Sequence, residues 1–131
     1  MKTVLLKQES TKFDAPKARV LPYDVDEKNL VDGYCRGIEC KALDIIPITI
    51  ANKVYSAVVD GEILMSENPI PTLYVDDGLV LFGNVLLAKE GGIFQEDARE
   101  ILEYLRIQDA KLLSWLSEND EPMFKKRRLA G

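Results

Sequence analysis

A chain of 131 residues, 47% hydrophobic and 30% charged, has the length of one domain and the composition of a folded globular protein, which argues against disorder, collagen-like repeats and a bilayer-spanning run. Histidine is absent, and with it go Ser-His-Asp, Cys-His and His-metal chemistries. The formal net charge of −5 divides unevenly: residues 125–131 hold four bases and no acid, leaving 13 of the 17 bases against all 22 acids in residues 1–124. An acidic body argues against binding nucleic-acid phosphates and suits either a basic protein partner or solubility alone.

In chain order, residues 3–7 are a β-branched and aliphatic run expected to form a first strand, and residues 18–23 a second, joined by a polar connection. The acid-rich stretch 24–31, with Gly33 just beyond it, predicts a short helix ending on a glycine cap. Residues 34–43 then read as extended. On that reading Cys35 and Cys40, an odd number of positions apart, face opposite ways, so neither a disulfide nor a shared metal site is expected and reduced thiols are. Residues 45–50 and 54–59 read as strands about a turn at 51–53. Asp60-Gly61 turns the chain again, toward a short strand over 62–65.

Asn68-Pro69 fits the start of a helix over 69–74, while Pro69 and Pro71 fit an extended edge equally well. Asp76-Asp77-Gly78 is a turn, and residues 79–88 form a nearly continuous apolar run expected to be one central strand kinked at Gly83. From Phe94 to Leu116 apolar residues recur at helical spacing, with Glu96, Asp97 and Glu100 in the opening turns, where the helix dipole favours acids. Gln108 and Asp109 interrupt the stripe, which leaves open one helix or two. The expected fold is a single α+β domain with a mixed or mainly antiparallel sheet of about five strands and a long C-terminal helix. Residues 1–105 would form the domain, 106–124 a helix continuation packed on it or on a partner, and 125–131 a basic tail.

Catalytic equipment is sparse. There is no phosphate-binding glycine pattern, no nucleophile elbow and no calcium loop, and the pairs Asp24/Asp26 and Asp76/Asp77 sit where turns and helix starts call for aspartate. No catalytic residue, metal or cofactor is assigned, and the chain reads as a non-enzyme. Tyr34, Asn68 and Asn84 are candidate ligand-binding residues, because Gly or Asn beside them allows close approach. Leu112, Trp115, Leu116 and Phe124 form an apolar stripe that serves either the core or a partner, including a second copy of the chain. Lys125, Lys126, Arg127 and Arg128 are the candidates for nucleic-acid contact, with a solvated tail as the plainer reading.

A string of local pieces carries a resemblance. Val4-Leu5-Leu6, Leu30-Val31-Asp32-Gly33-Tyr34, the Asp60-Gly61 turn, the stretch from Met65 through Asn68-Pro69 to Thr72, and Phe82-Gly83-Asn84-Val85-Leu86-Leu87 together resemble a family of small proteins of bacteriophages, plasmids and bacterial chromosomes classed as a domain of unknown function. That family shows a Val-Gly-Gly-Tyr-type turn, a Leu-Pro-x-Asn-Pro-x-Ala-Thr pattern and a closing Gly-x-Val-Leu strand; this chain departs from it at Asp32, at Pro71 and past Leu105. The resemblance implies a compact α+β fold and a mobile-element setting in a bacterial cytoplasm, and no activity. The expectation is therefore a small interaction protein, an accessory factor acting on a host or phage protein. A small-molecule or nucleotide-binding domain and a weak nucleic-acid contact through the tail are the alternatives.

Overall fold

A computed structural model describes residues 1–10, 16–66, 69–76 and 78–119. It is an α+β domain whose strands are β1 (Lys2–Gln8), β2 (Ala18–Asp24), β3 (Leu43–Ile50), β4 (Lys53–Asp60), β5 (Pro71–Tyr74), β6 (Val80–Phe82) and β7 (Val85–Ala88), with helices α1 (Leu30–Ile38) and α2 (Gln95–Asn119). The main sheet has five strands in the order β2-β1-β7-β4-β3, every neighbouring pair antiparallel, and β5 and β6 form a separate two-stranded ribbon.

Side chains alternate across the main sheet because successive residues of a strand point to opposite faces. Val4, Leu6, Ile48, Ile50, Ala57, Val59, Val85 and Leu87 share one face with the ribbon residues Leu73 and Leu81 and with Ile101 and Leu105 of α2. Leu5, Val58, Leu86 and Ala88 share the other with Tyr34 and Ile38 of α1. Three layers result: α1, the sheet, then the ribbon with α2. Strand β7 is short but lies at the centre, and its four residues are all buried.

The single apolar run over 79–88 is two strands, not one. Val80–Phe82 belongs to the ribbon, the backbone turns at Gly83 with φ of +74°, and Val85–Ala88 enters the main sheet. The kink expected at Gly83 is present, and it moves the chain from one sheet to the other. Residues 62–65 hold a 3₁₀ turn (Ile63–Met65) in place of the expected strand. Of the two readings of the Pro69 segment the extended one holds, as β5.

Both edges of the main sheet carry a proline in mid-strand. In the β1–β2 ladder the bonds exchanged by Met1 and Val25, and the one from the Glu9 amide to the Lys17 carbonyl, place odd-numbered β2 residues toward β1. Pro22, opposite Val4, therefore takes an outward position where no ladder bond is lost. In β3 the turn Ala51-Asn52, with φ of 51° and 64°, is a two-residue type I′ hairpin closed by Ile50 and Lys53. Pro47, three residues before Ile50, points outward by the same alternation.

Helix α1 corrects the largest misreading. Gly33 does not end a helix; it lies inside one, and residues 34–38 are helical where an extended segment was expected. The acid-rich residues before it form only a 3₁₀ turn (Glu27–Asn29) capped by the Asp26 carboxylate. Gly33 and Gly37, one turn apart, let α1 lie close on the sheet. A Cβ at Gly33 would stand 2.5 Å from Val25 Cγ1, and one at Gly37 3.0 Å from Leu86 Cδ1 and 3.1 Å from the Tyr23 ring. Gly33→Ala is accordingly expected to lower stability by about 1 kcal/mol in urea unfolding, because displacing buried Val25 outweighs the gain in helix propensity. A helix resting loosely on the sheet would show the opposite sign, a gain of up to about 1 kcal/mol.

Candidate functional site

Helix α2 runs unbroken from Gln95 to Asn119, so the boundary expected at residue 105 falls in mid-helix, and the second half packs on the same domain as the first. Its start is fixed by charge. The Asp97 carboxylate accepts the Phe94 amide at 3.0 Å, filling the role of the third-position acid of a capping box, and pairs with Lys53 Nζ at 2.8 Å and Lys89 Nζ at 3.4 Å. Lys53 also reaches Glu100 at 2.6 Å. The hydrogen bond from Lys53, then that from the Phe94 amide, hold the Asp97 carboxyl down to about 2, and the bonds to Asp97 and Glu100 push Lys53 up. This cluster ties α2 to the β3–β4 hairpin. None of its members stood out in the sequence beyond the acids of the first turn, since Lys53 is 44 positions from Asp97.

Farther along α2, Ile101, Leu105, Gln108, Leu112 and Leu116 are buried. Gln108, which interrupts the apolar stripe, is 1% exposed and donates Nε2–H to the Tyr74 carbonyl at 2.7 Å, so the interruption is a polar anchor onto β5 and not a helix break. Leu112 and Leu116, for which the sequence left core and partner both open, are buried and pack with Tyr74, Val80 and half-buried Trp115. The ribbon packs against both, and Leu112 also lines the groove beside β2. Phe124 lies outside the described residues, as do Asn68 and Lys125, Lys126, Arg127 and Arg128. The apolar surface that α2 does expose is Leu102 and Leu113 on one flank and Ile107 on the other.

The Leu113 flank of α2 lies toward β2. Between them runs a groove of about 320 Å³, walled by Leu6, Ala18, Val20, Leu105, Leu112 and Leu113, with Pro16, Lys17, Gln8, Thr72 and Asp109 completing it. Asp109 is solvent-exposed by its surface area, and partial desolvation beside these walls pushes its carboxyl above the usual aspartate range. Among the described residues no hydrogen bond or ion pair engages it. Only its position as a charge flanked by Leu105 and Leu112 could have signalled this in the sequence.

A second, more polar pocket of about 280 Å³ opens at the same end of β1 and shares Gln8 with the groove; it is lined by Glu39, Asp60, Ile63, Ile70, Gly83 and Asn84 among others. Asn84 is already engaged there: its Oδ1 accepts the Gln8 amide at 2.8 Å, and its Nδ2 donates to the Ile38 carbonyl at 3.3 Å and to Glu39 at 3.4 Å. Tyr34 does not join it. It is 7% exposed within the core layer under α1, where burial raises its hydroxyl above the usual range, so the ligand site expected around Tyr34 and Asn84 together does not form. Of the aspartate pairs, Asp26 caps a 3₁₀ turn and Asp76 pairs with Lys111 at 3.3 Å. Among the described residues no group of three or more Cys, Asp or Glu is placed to hold a metal, and no helix is long and apolar enough to cross a membrane.

No family model matches this chain. Comparison with curated proteins and with solved structures likewise gives no match.

Proposed function

We propose that this chain is a non-enzymatic interaction protein that holds a cationic side chain of a partner protein in the groove between β2 and α2. The observation that carries this reading is Asp109, a solvent-exposed carboxylate that lines the groove beside Leu105, Leu112 and Leu113 and has no hydrogen bond or ion pair among the described residues, Lys17 of the same groove included. Such a groove matches arginine or lysine, whose apolar stem can lie along Leu105, Leu113 and Val20 while the charged end meets the carboxylate. The acidic excess of residues 1–124 draws a basic partner in the same direction. Strand addition to the neighbouring β2 edge is opposed by Pro22, which offers no outward donor, so recognition rests on side chains. The resemblance to mobile-element proteins makes a host protein the partner to look for.

The test uses two labelled peptides, Leu-Arg-Leu-Leu and Leu-norleucine-Leu-Leu, blocked at both ends, titrated into the isotopically labelled chain. The arginine peptide is expected to bind more tightly and to shift the resonances of Val20, Leu105 and Leu113. Asp109→Asn should weaken it by about fivefold, the value of a partly screened ion pair, and leave the neutral peptide unchanged. Equal affinity for the two peptides, or shifts confined to another face, would overturn the proposal.

A further inference from the structure

The extended reading of residues 34–43 separated Cys35 from Cys40; the structure brings them together. Helix α1 ends with Glu39 in the left-handed conformation, φ 59° and ψ 51°, and the Cys40 amide donates back to the Cys35 carbonyl at 3.1 Å. This is a Schellman cap, whose geometry makes the side chains three residues before the end and two beyond it meet. Here both are cysteines. The Cys40 thiol donates to Cys35 Sγ with the sulfurs 3.9 Å apart.

We infer that Cys35 and Cys40 are a dithiol site that closes to an intramolecular disulfide across the C-terminal cap of α1, with small-molecule disulfides of the glutathione class as its oxidant. A disulfide holds its sulfurs about 2.05 Å apart, so closure requires them to approach by about 1.9 Å. Both residues are partly exposed. Cys35 also lines an open depression with Glu27, Lys28, Asn29, Leu30, Val31 and Asp32, through which an external disulfide can reach it.

The reaction balances as two exchanges. The Cys35 thiolate attacks one sulfur of the external disulfide, forms a mixed disulfide and expels one small thiolate. Cys40 then gives its proton to solvent and attacks Cys35 Sγ, expelling the second. The two protein thiols are oxidised and one external disulfide is reduced to two thiols. Burial, then the hydrogen bond to Cys35, push the Cys40 thiol up to about 11, with the charges of Cys35 and Asp60 adding to them. Cys40 is thus the slower, resolving partner, and Cys35 the point of entry. The bond would lock Glu39 and the end of α1, where Asn84 donates to the Ile38 carbonyl and Glu39.

The experiment equilibrates the full chain with mixtures of reduced and oxidised glutathione, native and in concentrated guanidinium chloride, and reads intact mass and free thiols after acid quench. The native chain is expected to lose two hydrogens and both thiols while staying a single chain, with a closure constant at least about tenfold above that of the denatured chain. Cys40→Ser should stop at one glutathione adduct on Cys35. By linkage the closed form should also melt above the reduced form. Stable adducts on the unmutated chain, a cross-linked dimer, or equal closure constants in the native and denatured chain would overturn the inference.

Discussion

Leu87→Ala is expected to remove about 3 kcal/mol of unfolding free energy, the largest effect of any substitution considered, and urea unfolding followed by circular dichroism reads it directly. Leu87 is fully buried and stands opposite Val4 of β1 and Ala57 of β4, in the layer that also receives Ile101 and Leu105 of α2. Neighbouring strands are held by their ladder bonds and close up little, so the missing methyl groups leave a cavity as well as lost burial. With total stabilities of about 5–15 kcal/mol for domains of this kind, one such change takes a large share. A loss under about 1 kcal/mol would be incompatible with β7 at the centre of the sheet.

Asp97→Ala is the second. It removes the acceptor of the Phe94 amide and leaves Lys53 and Lys89 facing each other without the carboxylate between them. A loss of about 2 kcal/mol follows, or roughly 8 °C in melting temperature for a chain of this length. The pH dependence has a definite sign. Because the folded carboxyl titrates near 2, below its unfolded value of 3.8, the stability it contributes is full above about pH 4 and is lost as pH falls through the folded value. The unmutated chain should therefore weaken between about pH 4 and 2, and Asp97→Ala should weaken less over that interval. Asp109 acts in the opposite sense: its raised pKa makes its charge a burden at neutral pH that protonation relieves. Identical acid limbs for Asp97→Ala and the unmutated chain would remove Asp97 from the account.

Much of the architecture was legible because it rests on local pattern. β1, β2, the β3–β4 hairpin and α2 each show their period in the sequence, and each forms close to where that period places it. The failures share a physical cause, which is that tertiary contacts reassigned a local signal. Gly33 resembles a helix stop, but Val25 pressing on it makes it a packing residue of α1. The run over 79–88 resembles one strand because apolarity alone does not say which sheet a segment joins. Gln108 resembles a helix interruption until its bond to the Tyr74 carbonyl is seen. The groove was least legible of all: it depends on how far α2 lies from β2, and no residue pattern encodes a gap. Cys35 and Cys40 follow from the α1 error, since their spacing separates them on a strand and joins them at a helix cap.

The prolines on the two outer strands bear on what this chain does when it is concentrated. Fibril growth needs an uninterrupted row of outward amides onto which copies can stack. Here a ribbon advancing from the β2 rim meets a missing donor at Pro22, and one from the β3 rim meets another at Pro47. β3, with Ile45, Ile46, Ile48 and Ile50, would otherwise make a good template. On each rim, among the described residues, one proline thus interrupts the row of outward donors that such stacking would use.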